Sequence, residues 1–479
     1  METIIDSMNP PTLTYLSQLI SLSYNTIYLV GGSVRDLLLG EPGIKDIDLL
    51  MTSGSEAVAR SFADKIDGSF FFLDQERKIT RVVKHADGGP LQFDFTNFDG
   101  ADLEADLARR DFTINAMALD LREFVNNQSL EKVIDPFHGK DDIKNRLIRV
   151  VKAEALDEDP LRLLRAVRFA ATLRFTIDHA TAEYIRHRSK LITVPSPERQ
   201  RDELFLLLSE RDAKKHLQLM DSLGLLSPLL PELDPLRGFF PGKYHAHDVL
   251  SHSIRTAGYI DSVLDDLPKI SPDHAARLLG HLEESIELLV PRKAALRFAC
   301  LLHDMAKPET YTTTDGHVRF HGHDNLGAEK AALVCRRFRL SRDSEKAVTK
   351  VVKQHMRLFN LSAAGGPSKN AMYRYCRDLG DVLPESLILA QADARATYEI
   401  MPKEKFTDTG ETMAAVLDYY YEKFLKTESG PLVTGQDLIE LGFKPGPHFR
   451  EILEDVKERQ AEGTLKDRRE ALSYIKTLR

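Results

Sequence analysis

Cysteine is scarce: Cys300, Cys335 and Cys376 are the only three in 479 residues. Scattered and odd in number, they make neither a disulfide framework nor a zinc cluster and read as reduced core thiols. No apolar run approaches the about 18 residues that a membrane span needs, and no secretory leader is evident. A cytoplasmic protein with no membrane partner is therefore expected. Internal repeats and low-complexity tracts are also missing. So is an excess of positive charge: 65 Lys and Arg against 73 Asp and Glu leave a net charge of −8. That balance argues against a protein that coats nucleic acid indiscriminately, although local field decides RNA binding.

What is present is an ordinary globular composition, 42% hydrophobic and 29% charged, long enough for about three domains. Basic residues gather between Lys140 and Arg174, at Lys144, Arg146, Arg149, Lys152, Arg162, Arg165 and Arg168, and again at Arg186, Arg188, Arg199 and Arg201. Solvated helix faces are the competing reading of that stretch. From Ile27 to about Val151 the pattern is mixed, with strand-like runs at Ile27–Val30, Asp46–Met51, Phe70–Leu73, Thr80–Lys84 and Leu91–Thr96. Asp87-Gly88-Gly89 suits a hairpin turn between the last two. From about Ala153 strand signals nearly vanish, and an all-helical remainder is expected. Boundaries are expected at Pro228–Pro241, near Pro402 and at Gly430-Pro431. Phe449, Ile452, Leu453 and Val456 recur at helical spacing and read as core.

The chemistry begins at Leu29-Val30-Gly31-Gly32-Ser33-Val34-Arg35-Asp36. An apolar run feeds a glycine pair and then an amphipathic helix, so backbone N–H groups and the helix start can approach an anion. Asp46 and Asp48, two apart on a strand, point to one face, where they can hold a hard divalent cation against phosphate oxygens. Asp94 alternates with Gln92 and Thr96. If its strand neighbours that of Asp46 and Asp48, three carboxylates converge, enough for two ions that activate a hydroxyl and neutralise a triphosphate. The alternative is an exposed strand residue. In Arg109-Arg110-Asp111-Phe112-Thr113-Ile114-Asn115, Arg110 can meet a phosphate, and Asp111 and Asn115 suit ribose hydroxyls; a plain helix cap is the other reading of Asp111. In Glu158-Asp159-Pro160-Leu161-Arg162, Asp159 suits an N-cap with Pro160 at the first helical position. Asp159 and Arg162, one turn apart, can equally hydrogen-bond a base edge. Arg165 and Arg168 extend the stripe toward phosphates, with Leu161, Leu164 and Phe169 facing elsewhere.

The helical remainder carries Tyr244-His245-Ala246-His247-Asp248 with His252, then His303-Asp304-Met305-Ala306-Lys307, His321-Gly322-His323, His355 and Asp393. A His-Asp doublet inside an apolar helix is expensive unless paired or metal-bound. Imidazole with carboxylate suits a divalent transition metal.

Together with Asp135-Pro136-Phe137-His138-Gly139, the ordered motifs between Ile27 and Glu203 resemble those of class II tRNA nucleotidyltransferases. That family comprises CCA-, CC- and A-adding enzymes and bacterial poly(A) polymerases. The resemblance implies an α+β chain: a polymerase-β-like nucleotidyltransferase head of mixed sheet and helices (1–151), then an all-α neck (152–235), HD helical body (236–400) and tail (401–479). It implies that Asp46 and Asp48 ligate magnesium, with Asp94 as the third carboxylate of the catalytic set. Gly32, Arg35, Arg110, Asp111 and Asn115 would contact nucleotide, Asp159 and Arg162 would read the base of CTP or ATP, and Arg165 and Arg168 would lie on the triphosphate side. Gly139 falls in the family's hinge segment, and Pro197-Glu198-Arg199-Gln200-Arg201-Asp202-Glu203 is similar to its last neck motif. The substrate would be a tRNA 3′ end. The connection from Asp94 to Arg109 is short, as in CC-adding enzymes, so CC addition is favoured, A addition stays open, and poly(A) polymerase is the runner-up. The second region resembles an HD-type phosphohydrolase domain, in which His252, His303, Asp304 and Asp393 would bind metal, with His323 and His355 holding a second ion or contacting phosphate. An HD phosphohydrolase whose head merely binds nucleotide is the rival of another class.

Overall fold

The computed structural model describes residues 10–23, 25–86, 89–240, 247–314, 317–363, 366–398, 409–426 and 431–478. Asp87 and Gly88 of the expected turn, Pro241, Tyr244, His245, Ala246, Pro402 and Gly430 lie outside them. The chain divides into two units. One takes in residues up to Pro195 with Leu223–Leu225, and the other takes in Ser196–Ser222 and the chain from Leu226 onward.

The first unit is built on a six-stranded mixed sheet. Its strands are β1 (Ile27–Val30), β2 (Asp46–Met51), β3 (Ser69–Asp74), β4 (Ile79–Ala86), β5 (Gly89–Asn97) and β6 (Ala118–Asp120), in the order β3-β4-β5-β2-β1-β6. The β2–β5 pair is parallel and the other pairs are antiparallel. The five expected strands are present within two residues, and β6 is an addition: three residues too short to show a period. Alternation places Ile47, Leu49, Phe93 and Phe95 on one face, all 1% exposed or less. There they pack with Phe62 of the helix Ser55–Ile66 and with Leu16 of the helix Pro10–Ile20. Phe62 meets Phe93 at 5.1 Å and Phe95 at 5.8 Å between ring centroids; each such ring fully buried contributes about 1.5–3 kcal/mol. Asp48 and Asp94, one residue out of phase, therefore occupy the opposite face.

That opposite face has a smaller apolar cluster of Val30, Leu50, Leu107 and Ala118, with Phe98 and Leu103 against it. It pins the short connection after β5, which forms the helix Leu103–Leu107 capped by Asp102. Asp106 accepts from the Asp99 N–H at 2.9 Å and closes the loop on itself.

The expectation of an all-helical remainder needs correcting at three places. Thr176–Ile177 pairs in parallel with Leu147–Ile148, and two short antiparallel pairs form, Ser285–Glu287 with Val290–Pro291 and Thr312–Thr314 with His317–Arg319. All are two or three residues per strand, below the length at which periodicity shows. The second unit is otherwise helical, centred on the helices Val249–Ile270, Arg292–Leu302, His323–Arg337, Arg342–Gln354 and Leu383–Tyr398. Arg297 is fully buried in it; its guanidinium donates to Leu208 O and Glu210 O, each at 2.6 Å, and pairs with Asp261. In the helix His448–Glu462, Val456 is buried, with Phe449, Ile452 and Leu453 packed around the same cluster, as the spacing implies. Among the described residues no helix is long and apolar enough to cross a membrane.

Candidate functional site

The register of the sheet assembles the carboxylates. Asp48 on β2 lies beside Asp94 on β5, and Asp46 beside Gln92. The turn into the helix Gly32–Leu39 is fastened to this strand by Ser33, whose hydroxyl accepts from the Asp48 N–H at 2.7 Å and donates to Asp46 O at 3.2 Å. Gly31 turns the chain with φ 65° and ψ −134°, in a region that costs a side chain dearly. A Cβ there would stand 2.9 Å from both Asp48 Oδ2 and Arg110 Nη1, so the glycine is required twice over. Burial pushes the Asp48 carboxyl up to about 6, Arg110 and the Gly32 N–H opposing and Asp94 and Asp46 adding to the rise. Burial likewise raises Asp46, against Arg81. Carboxylates held this unfavourably as anions are suited to a divalent cation.

Asp94 has a partner that the sequence did not announce. Arg81, directly opposite it on β4, donates Nε to Asp94 Oδ1 at 2.6 Å and Nη2 to Oδ2 at 2.7 Å, and its Nη1 reaches Gln92 Oε1. Both oxygens of the third carboxylate thus meet a guanidinium fork, and the fields of Asp94, Asp46 and Asp48 raise Arg81 further above its ordinary range.

The nucleotide-binding candidates form one chain of contacts. Arg35 makes a fork on Asp36, at 2.7 and 3.1 Å, and donates to Asn115 Oδ1 at 2.8 Å. Asn115 donates to Asp111 Oδ1 at 3.0 Å, and Asp111 Oδ2 pairs with Arg165 at 2.9 Å. Burial works against the Asp111 anion, but Arg165, Asn115 and the Phe112 N–H hold it below its ordinary range. Arg110 pairs with Asp106 at 3.4 Å. Arg162 donates to two backbone carbonyls, Ala155 O at 3.0 Å and Arg109 O at 2.7 Å, which fixes its orientation across the Arg-Arg-Asp segment. Asp159 caps as expected: its backbone is extended (φ −140°, ψ 94°), Pro160 follows with helical dihedrals, and Asp159 Oδ1 accepts from the Leu161 N–H at 3.3 Å at the start of the helix Leu161–Thr172. Phe169, expected to face away from the arginines, faces them: the guanidinium carbons of Arg168, Arg35 and Arg165 lie 4.4, 5.3 and 5.5 Å from its ring centroid. Gly139 is tightly packed, since a Cβ on it would stand 2.3 Å from Thr113 O.

In the second unit two groups of ligating side chains meet: His252, His303 and Asp393, and Asp304, His323 and His355, with the ligand atoms of each group within 4.8 Å of one another. Asp304 faces both groups, 3.2 Å from His303, 3.7 Å from His252, 3.6 Å from His323 and 3.8 Å from His355. Lys307 also pairs with it. His303, His323 and His355 donate Nδ1–H to backbone carbonyls of Cys300, Phe320 and Val352 at 2.7, 2.8 and 2.7 Å. A carbonyl only accepts, so each of these rings carries a proton on Nδ1 and turns its Nε2 inward. Burial and the neighbouring His303 push His355 down to about 4, which keeps it neutral near pH 7. Its Nε2 meets His323 Nε2 at 3.2 Å. Asp304 Oδ1 and His303 Nε2 are buried without a well-formed hydrogen bond among the described residues. The donor set fits a pair of divalent transition ions.

Comparison with known proteins places these geometries in a family. Residues 27–149 match the model of the poly A polymerase head domain, 174–237 that of the probable RNA and SrmB-binding site of polymerase A, and 249–398 that of the HD domain. The A-adding tRNA nucleotidyltransferase of Deinococcus radiodurans is 33% identical across 93% of this chain and 94% of its own. The chain belongs to the tRNA nucleotidyltransferase family. The CC-adding tRNA nucleotidyltransferase of Thermus thermophilus is 30% identical across 93% of this chain and 92% of its own. Among solved structures, a CCA-adding enzyme in complex with CTP shares the fold with a TM-score of 0.63 at 21% identity, over 100% of this chain and 97% of that one. The Thermotoga maritima CCA-adding enzyme complexed with tRNA gives 0.60 at 20%, over 100% and 98%.

The nucleotidyltransferase therefore brings together Asp46, Asp48 and Asp94 on one sheet face, Arg35, Asn115, Asp111 and Arg165 in one chain of contacts, and all six His and Asp candidates of the HD region. Arg81, Phe169 and Lys307 were missed. Arg81 lies out of phase with buried Thr80 and Val82 on β4, which leaves it on the carboxylate face once β4 pairs with β5.

Proposed function

We propose that this chain is a magnesium-dependent, template-independent nucleotidyltransferase that adds nucleotides from CTP or ATP to the tRNA 3′ end. The observation that carries the reading is the parallel register of Asp48 against Asp94, with Asp46 on the same strand and a glycine-led helix start fastened to it through Ser33. Asp46 and Asp48 would hold the ion and Asp94 would complete the set. Magnesium bound there supplies polarisation of the RNA 3′-hydroxyl and charge neutralisation at the triphosphate. Gly32, Arg35, Arg110, Arg165 and Arg168 would hold the triphosphate so that the 3′-hydroxyl attacks the α-phosphorus in line and pyrophosphate leaves. Asp111 and Asn115 would orient the ribose. Asp159 and Arg162 would read the base edge, and Arg162, already anchored on two carbonyls, presents a fixed set of remaining donors.

Within this chemistry the reading taken is CC addition. The short connection Phe98–Ala108 supports it, being folded into a capped helix on the Leu107 cluster rather than extended as a long loop. A addition is the second reading, favoured by the 33% identity to the A-adding relative. The HD region would act as a separate metal-dependent phosphohydrolase, with His252, His303, Asp304 and Asp393 as ligands and His323 and His355 completing a second ion. Offering the protein tRNAs ending at the discriminator base, at C and at CC, with CTP or ATP, tests the proposal. Addition that stops at CC supports the first reading. A added only to CC ends supports the second, a long A tail on unrelated RNA indicates a poly(A) polymerase, and no incorporation on any end overturns the proposal.

A further inference from the structure

Three guanidinium groups from two separate helices converge on one phenyl ring. Arg35 comes from the helix Gly32–Leu39, and Arg165 and Arg168 come from the helix Leu161–Thr172. Their carbons lie 5.3, 5.5 and 4.4 Å from the centroid of Phe169, within the range over which an aromatic quadrupole attracts a cation. The ring is 6% exposed and set edge-to-face on fully buried Phe112, at 5.7 Å and 85°, so its own orientation is fixed. Like charges gathered this closely repel. The carboxylates facing the group, Asp36 on Arg35 and Asp111 on Arg165, offset part of the repulsion, and the ring face adds an attraction that no aliphatic side chain supplies.

We propose that Phe169 is a positioning residue for polyphosphate binding: its ring holds Arg35, Arg165 and Arg168 as one preassembled cationic cluster for the triphosphate of the incoming nucleotide. The inference rests on the reading of the head as a nucleoside triphosphate site and adds the residue that organises it. Without the ring the arginines keep their charge but lose their common anchor, so ordering them falls to the ligand and weakens its binding. The loss should grow with the number of phosphates.

The test compares wild type, Phe169→Leu and Phe169→Tyr in the full chain. Equilibrium binding of CTP, ATP and the matching monophosphates is measured alongside KM and kcat for nucleotide incorporation. The expected result for Phe169→Leu is triphosphate affinity reduced by about 5- to 20-fold, monophosphate affinity reduced less than about 2-fold and the loss appearing in KM with kcat largely kept. Phe169→Tyr, which keeps the ring, should restore triphosphate binding to near wild type. If Phe169→Leu does not fold, progressively fluorinated phenylalanine at 169, nearly unchanged in shape, should weaken triphosphate binding stepwise. Equal losses for mono- and triphosphates, no restoration by Tyr, or no dependence on fluorination would overturn the inference. Failure of the wild type to bind any triphosphate would instead overturn the reading of the head on which it rests.

Discussion

Replacing Gly31 by alanine separates the two glycines of the head turn and puts a number on what each does. At Gly31 the backbone, φ 65° and ψ −134°, lies close to a region populated almost only by glycine, which costs about 1–3 kcal/mol for any other residue. The new Cβ would also stand 2.9 Å from Asp48 Oδ2 and Arg110 Nη1, so one or both side chains must give way. For a unit of this size that strain lowers the melting temperature by roughly 2–12 °C. A displaced Asp48 is more damaging to activity, because misplacing a reacting constellation by about 1 Å costs about 100-fold. Gly32 differs. Its Cβ would meet Arg35 Nη2 at 3.4 Å and Asp48 Oδ2 at 3.6 Å, ordinary contact distances. Gly32→Ala should therefore melt with the wild type and show any loss in nucleotide affinity. Thermal unfolding and single-turnover incorporation of labelled nucleotide on a tRNA acceptor, run on both variants, read the contrast. Gly31→Ala retaining activity within about threefold of wild type, or Gly32→Ala losing as much melting temperature as Gly31→Ala, would refute the reasoning.

Three further outcomes follow from the same geometry. Arg81→Met removes the fork on Asp94 and the cation facing all three carboxylates, so Mn2+ should bind the head at least about threefold more tightly, read from free Mn2+ by electron paramagnetic resonance; weaker binding would mean that Arg81 orients Asp94 for the ion. His355→Ala should lower the metal retained by the HD region after dialysis from two ions per chain toward one, by elemental analysis, while nucleotide incorporation stays unchanged. Arg297→Met preserves much of the side-chain volume but leaves Asp261 and the carbonyls of Leu208 and Glu210 without their buried donor. A loss of about 3–5 kcal/mol is expected, read as a fall in the melting temperature, and a loss below about 1 kcal/mol would indicate that those groups are hydrated.

The parts legible from sequence are those with a short local signature. Asp46 and Asp48 share a face because they are two apart on a strand, and the placement of Asp94 needed only the condition that β5 neighbours β2, which the sheet meets. The His303-Asp304 doublet announced its expense directly, although it sits at the C-cap of the helix Arg292–Leu302 and in the turn that follows, not inside the helix as expected. What escaped notice depends on pairing between distant segments. Arg81, inside the expected strand Thr80–Lys84, has no visible role until the β4–β5 register sets it against Asp94. Phe169, read as facing away from the arginines, is buried, but its ring gathers arginines from a helix about 130 positions earlier in the chain as well as from its own. The cap at Asp159 belongs with the legible parts, because Pro160 takes helical dihedrals directly after it, φ −61° and ψ −14°, and Asp159 Oδ1 accepts from the Leu161 N–H. β6 and the two-residue strands were too short to show a period at all.

The central claim is that the paired carboxylates of β2 perform nucleotide addition, and Asp48→Asn tests it most directly. The amide keeps the size of the side chain and removes its charge, so the variant should fold and melt like the wild type. Incubated in excess with a tRNA acceptor, labelled CTP or ATP and magnesium, it should extend no 3′ end in a single turnover, while the wild type does. Extension by Asp48→Asn at a rate within about tenfold of wild type would contradict the claim and move the chemistry away from β2.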